Sequence, residues 1–246
     1  MIVADIAAFL EKKAPADTAE PWDNVGLLIG GREEEVHTVL VCLDITPAVV
    51  REAKRVGATL LVSHHPVIFS PLKRLEAQSL PYQLVQKGLA AYAAHTNLDK
   101  APGGVNDTLA ECLGLQDLEI DGGGLCRIGR LSCPLEAPAF VSLVSERLGT
   151  VVRASEGSRT VSRVGLCSGA GGDEGLALFG QVDAFVTGEM KHHHWLAAGQ
   201  AEITAVEAGH YATEVVVVPT LAAWLRDAFP ELSVVEFEDQ SPYITR

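Results

Sequence analysis

TVLVCLDITPAVVREAKRVGATLLVSHHP, residues 38–66, carries the pattern from which the rest of the chain can be read. The run TVLVCL at 38–43 is almost continuously apolar, as a strand covered on both faces must be. Thr46 and Pro47 then supply a helix cap and a residue suited to the first helical turn, and Gly57 closes the helix. A second apolar strand, TLLVS at 59–63, runs directly into His64-His65-Pro66. Strand, helix and strand in this order predict an α/β chain with mostly parallel sheets.

The alternation continues outward. Ile2, Val3, Ile6, Phe9 and Leu10 form a helical stripe over residues 2–13, and PWDNVGLLIGG at 21–31 places turn residues around short apolar pieces. Residues 79–88 are predicted helical, LAAYAA at 89–94 is a third strand ending at His95-Thr96-Asn97-Leu98-Asp99, and a helix runs from Val105 to Gly114. The acidic, glycine-rich stretch 116–126, with DGGG at 121–124, is expected to separate an N-terminal lobe, 1–125, from a C-terminal lobe, 126–246. In the second lobe, strands are expected near 127–132, 161–167, 184–188, 202–206 and 232–238, with helices near 138–148, after GAGGDEG at 169–175, through 189–198 and from 211 to 226. Whether the last strand returns to the first lobe is left open.

Of 246 residues, 48% are apolar, enough for a sizeable core. No run of about 18 uncharged apolar residues is present, so no membrane span is expected. Asp5 lies in the apolar N-terminal stretch and the lysines follow it, the reverse of a secretory signal, which predicts a cytoplasmic protein. The net charge of −13 disfavours nucleic acid as a partner. Five cysteines with no CxxC suggest neither a disulfide framework nor a zinc knuckle.

Two strand ends carry metal-ligand chemistry, VSHHP at 62–66 and AHTNLD at 94–99. Ligands in open α/β sheets bind beyond the carboxyl ends of strands. His64 and His65 can diverge there toward two ions, although SHHP taken alone reads equally as two solvent-facing histidines. Asp99 taken alone reads first as a turn-forming or helix-capping residue. His95 is expected to support the site or sit satisfied in the core rather than ligate. In EAGHYATE at 207–214, His210 and Glu214 stand one helical turn apart, a spacing that lets both reach one metal cluster, with a surface helix start as the alternative. Three histidines and two carboxylates suit first-row divalent ions such as Zn, Fe, Mn, Co or Ni. A carboxylate can bridge two ions about 3.5–4 Å apart, and such pairs activate water for hydrolysis. In KHHH at 191–194 at most one or two histidines can face a site. The loop GAGG at 169–172 reads first as a plain turn, with anion binding as the alternative.

Together PWDNVGLLIG, VLVCLDIT, VSHHPVIF, AHTNLDKAPGGVND, VGLCSGAG, DAFVTGEMKHH and EAGHYATE occur in an order that resembles the Nif-three-like family, also labelled GTP cyclohydrolase 1 type 2 homologues or dinuclear-metal-centre hexameric proteins. The resemblance covers nearly the whole chain. It implies two interlinked α/β lobes, a dinuclear site in the cleft between them, ligation by His64, His65, Asp99, His210 and Glu214, and a homohexamer. Some relatives have a domain inserted mid-chain; this chain is too short to hold one. Where many relatives read TGD, this chain has Thr187-Gly188-Glu189, and the family's histidine there falls on His193. Two functions follow. One is a metal-dependent hydrolase of a small molecule, with Glu214 bridging two ions per chain, His65 and Asp99 completing one ion, His64 and His210 the other, and His95, His193 or Glu189 carrying protons. The other is a non-enzymatic metal-binding or regulatory ring.

Overall fold

The computed structural model describes residues 1–157, 160–238 and 240–244. Its chain order is α1 (Val3–Lys13), a 3-10 turn (Ala16–Thr18), β1 (Gly26–Ile29), β2 (Thr38–Cys42), α2 (Pro47–Val56), β3 (Leu60–Ser63), α3 (Leu80–Gln86), β4 (Ala90–Ala93) and α4 (Thr96–Lys100). Then follow α5 (Val105–Cys112), β5 (Gln116–Ile120), β6 (Arg127–Glu136), α6 (Ala137–Leu148), β7 (Arg153–Ala154), β8 (Thr160–Cys167), α7 (Gly172–Gly175), β9 (Ala184–Thr187) and α8 (His192–Gln200). The chain closes with β10 (Thr204–Glu207), α9 (His210–Glu214), α10 (Val217–Ala228) and β11 (Ser233–Glu236). It divides into two compact units, Met1–Pro102 with Val217–Gln240 and Gly103–Val216 with Ser241–Arg246. The DGGG run, expected as a boundary near residue 125, connects β5 to β6 within the second unit.

In the first unit the sheet order is β1-β4-β3-β2-β11, parallel except for β1 at its edge. The last strand thus returns to pair with β2. Thr46 caps α2 by accepting a hydrogen bond from the Val49 amide at 3.3 Å, and Gly57 ends the helix at φ 72°, a conformation a side chain would oppose. α2 buries Val49, Val50 and Ala53 with Leu40, Cys42, Leu61 and Ala91 of the sheet. The register aligns Cys42 with Ser63 and Ser63 with Ala93, so three parallel strands end side by side.

The second unit has the order β5-β6-β8-β9-β10-β7. Its centre, β8-β9-β10, is parallel and its outer pairings are antiparallel. Side chains alternate across the sheet: Ala184 and Val186 pack with Phe140, Val164 and Val206 on one face, Phe185 with Cys167 and Ala205 on the other. Cys167 aligns with Thr187 and Thr187 with Glu207, so these strands also end together.

The helix expected over 211–226 is two helices, α9 and α10, interrupted at Val215-Val216. Pro219 explains the break. It has no amide hydrogen to give the Val215 carbonyl four residues back, and its ring crowds that carbonyl. The chain changes unit at this interruption.

Candidate metal centre

In each unit the aligned strand ends deliver the polar side chains. Past β2, β3 and β4 come Asp44, then His64 and His65, then His95. The ladder continues one step further, with the His64 amide bonded to the Cys42 carbonyl at 3.3 Å and the Ala94 amide to that of Ser63 at 3.0 Å. Ligand atoms of His64, His65 and His95 lie within 4.8 Å of one another. Asp99, on the short helix α4, brings its Oδ1 to 3.7 Å from His64 Nε2. His64 and Asp99 are buried, His65 and His95 half-buried.

In the second unit, just past the ends of β8, β9 and β10 come Gly169, Glu189 and Gly209-His210. His210 Nε2 lies 3.0 Å from Glu214 Oε2 across one turn of α9, and Glu214 is buried. Gly169 has φ 57°, and a Cβ there would collide with the Glu214 carboxylate. The loop, read first as a plain turn with anion binding as the alternative, makes room for Glu214, and its Ser168 and Gly169 amides bond to Asn106 and Thr213. Gly209 (φ 89°) makes the corresponding close approach to Tyr243.

The histidines share a further pattern. His64 Nδ1 meets the Ala94 carbonyl at 2.9 Å, His65 Nδ1 meets Asp44 at 2.8 Å, His95 Nδ1 meets Asp23 at 2.8 Å and His210 Nδ1 meets Glu189 at 2.9 Å. Carbonyls and ionised carboxylates only accept, so Nδ1 carries the hydrogen in all four rings, and Nε2 presents the lone pair that a metal requires. His210 goes further: both its nitrogens face carboxylates. A lone pair against a carboxylate oxygen at 3.0 Å is repulsive unless a cation, a proton or a metal ion, lies between them. The donor set fits a metal on these grounds.

Sequence reading passed over Asp44 and Asp23, and it named Glu189 only as one of three proton carriers. Asp23 is held tightly, accepting from the Thr96 amide and hydroxyl as well as from His95. Burial pushes its carboxyl up, but the hydrogen bonds from His95 and Thr96 outweigh this and hold it below the usual carboxylate range.

The 192–194 run groups differently. Ligand atoms of Asp173, His193 and His194 also lie within 4.8 Å. His194 is the buried member, whereas His193 is exposed. The Lys191 amide donates to His194 Nδ1 at 3.0 Å, so the ring hydrogen sits on Nε2, 2.9 Å from Asp173. That is the opposite tautomer, with no lone pair toward Asp173, and it makes His194 a cap on α8. Hydrogen bonds from Lys191 and His194 lower the Asp173 carboxyl to about 2. Beside His210 is a pocket of about 380 Å³ lined by Glu189, Arg153, Glu207 and Tyr243. Burial, with Glu189 and Glu207 nearby, pushes the Tyr243 hydroxyl up. Among the described residues, no helix is long and apolar enough to cross a membrane.

The chain is similar in sequence and fold to known proteins. The GTP cyclohydrolase 1 type 2 homolog of Lactococcus lactis is 32% identical over 222 residues, 86% of each chain. NIF3-like protein 1 of Drosophila melanogaster is 32% identical over 230 residues, 86% of this chain and 77% of that one. The crystal structure of a Staphylococcus aureus hypothetical protein superposes with a TM-score of 0.91 at 28% identity, covering 100% of this chain and 99% of the other. A Bacillus cereus protein related to NIF3 reaches 0.93 at 22% identity over 100% and 99% of the two chains, a likeness of fold. The family model DUF34/NIF3 (NGG1p interacting factor 3) matches residues 1–242, taking in both units and both donor groups, and the chain therefore belongs to that family.

Proposed function

We propose that this protein is a metal-dependent hydrolase of a small molecule, holding two divalent ions per chain with His64, His65, Asp99, His210 and Glu214. The observation that supports this best is His210, whose nitrogens stand 2.9 Å from Glu189 and 3.0 Å from Glu214, an arrangement that needs a cation on the Glu214 side. His65 and Asp99 would hold one ion, His64 and His210 the other, and Glu214 would serve both. Bound ions of this class, Zn, Fe, Mn, Co or Ni, polarise a substrate carbonyl or phosphoryl group and make water nucleophilic near neutral pH.

The chain's own groups do the rest. Asp44 and Glu189 fix the rings of His65 and His210. His95, fixed by Asp23, offers Nε2 as a proton acceptor beside His64 and His65. His193 enters as a second proton carrier on the family resemblance alone. The same reading has the chain assemble as a homohexamer in the cytoplasm, without nucleic acid or membrane.

Elemental analysis of protein purified without chelator or nickel resin, then reloaded with Zn or Mn, should give about two ions per chain. Glu214→Gln should lose at least one of them. A reproducible content at or below about one ion in the wild-type protein overturns the dinuclear reading. A metabolite screen with the loaded protein, using Glu214→Gln as control, tests the hydrolase.

A further inference from the structure

We propose that Cys126 and Cys167 are the two halves of a reversible disulfide, formed by a hydroperoxide, whose closure unseats Glu214. The bridge stands on the geometry of the second unit alone; its effect on metal rests on the ligand reading above.

β6 and β8 run antiparallel, with Ile128 opposite Gly165 and Arg127 opposite Leu166. One step further along that register, Cys126 stands opposite Cys167. Both are buried in one apolar cluster, so their side chains share a face of the sheet. The Cys126 backbone turns the other way: its amide donates to the Asp121 carboxylate at 2.8 Å and its carbonyl accepts from the Asp121 amide at 3.4 Å. The cysteines therefore occupy a non-hydrogen-bonded pair. Cα atoms in such a pair approach to about 4.5 Å, inside the span of about 4.4–6.8 Å that disulfides bridge. Asn106 stands in for the next rung, accepting from the Ser168 amide at 2.8 Å and donating to the Leu125 carbonyl at 2.9 Å. It clips the flanks of both cysteines together. Either thiol alone would be an ordinary small core residue. Facing each other, they form a dithiol.

Cys167 leads into the glycine-rich loop 168–172, and that loop couples it to Glu214. A Cβ on Gly171 would lie 2.6 Å from the Cys167 sulfur, and one on Gly169 would lie 2.1 Å from Glu214 Oε1. The loop thus packs on the thiol at one end and on the carboxylate at the other. Drawing the sulfur across to Cys126 removes the surface on which Gly171 rests and shifts the loop against Glu214. Cys167 is 4% exposed and Cys126 0%, so a peroxide meets Cys167 first. ROOH converts that thiol to a sulfenic acid and leaves as ROH. The Cys126 thiol then attacks the oxidised sulfur, the S–S bond closes, and its proton departs with the hydroxyl as water. Two electrons pass from the thiols to the peroxide. Linkage runs both ways: ions held by Glu214 favour the dithiol, and the disulfide weakens the ions.

Full-length protein, EDTA-treated or Zn-loaded, is exposed to hydrogen peroxide, capped with N-ethylmaleimide and mapped by mass spectrometry. The expected product is one intramolecular bridge, Cys126–Cys167, which dithiothreitol reverses and which forms about tenfold faster without Zn. Bridged protein should bind Zn about tenfold more weakly in competition with a chromophoric chelator. Cys126→Ala and, independently, Cys167→Ala should keep their Zn affinity through the same treatment. In Glu214→Gln, Zn should no longer slow the bridge. The proposal is overturned if peroxide leaves the two thiols unlinked, if Cys112 or Cys133 is linked instead, or if bridged and reduced protein bind Zn equally. Protection by Zn that persists in Glu214→Gln also overturns it, because the ion then sits on the thiols themselves. A chain that forms the bridge yet binds no Zn sinks the metal reading and leaves the disulfide standing. Full Zn binding with no bridge does the reverse.

Discussion

At the residue scale, the proposed donors could be named from the sequence, whereas the groups that hold their rings could not. His64 and His65 directly follow an apolar strand run, His210 and Glu214 stand one helical turn apart, and Asp99 joins them through the family resemblance. Asp44 and Glu189 look like ordinary polar residues after a strand, and only the alignment of neighbouring strands puts them against His65 and His210. Partners of this kind orient the ring and raise its basicity. Asp44→Asn can turn its amide toward His65 and lose the fixed tautomer. It should lower Zn or Mn affinity about 10-fold or more, read by competition with a chromophoric chelator. His194→Gln is the contrasting case. The ring caps α8 and is buried, so its loss should lower the melting temperature while leaving metal content unchanged. If His194→Gln releases metal and Asp44→Asn does not, the two clusters have been assigned the wrong way round.

At the scale of elements, the parallel strand–helix–strand unit over 38–66 is formed as its caps and apolar runs predict. What escaped reading had weak or contradictory local signals. β5 is exposed along its whole length, so it lacks the alternation that marks a half-buried strand, and its glycine-rich neighbour reads as a linker. α4 and α9 span five residues each, too short for a helical period to emerge. Four consecutive valines at 215–218 disguised the break that Pro219 imposes.

Arg127, at the start of β6, is the least expected element of the second unit. It is 1% exposed, bonds to the Asp107 carboxylate and donates to the carbonyls of Gly124 and Cys126 at 3.0 and 3.2 Å. It therefore ties α5 to the loop that ends the β5–β6 connection. Arg127→Leu should cost roughly 3 kcal/mol in urea unfolding, because Asp107 and the loop carbonyls lose their donor together. A change below about 0.5 kcal/mol would mean that water replaces the guanidinium without penalty.

At the scale of the whole molecule, charge and assembly meet. The chain carries −13, and two divalent ions would offset four of those charges. Self-repulsion of a highly charged compact state is relieved by bound cations and by salt. The proposed hexamer should survive EDTA at moderate salt and weaken after EDTA at low salt, as light scattering on both forms would show. A stable monomer under all conditions refutes the assembly. Dissociation on chelation at moderate salt would instead show that the ions hold the ring together.

The return of β11 to the far side of β2 also sets a timetable for synthesis. β2 leaves the ribosome early, yet its neighbour on that side follows only after the whole of the second unit. At about 5–20 residues per second the interval is on the order of ten seconds. Throughout it, an apolar strand, TVLVC, presents an open hydrogen-bonding edge in a crowded solution. The nascent chain is thus open to pairing with a neighbouring copy while the second unit is being made, and a stall anywhere before β11 emerges prolongs that exposure.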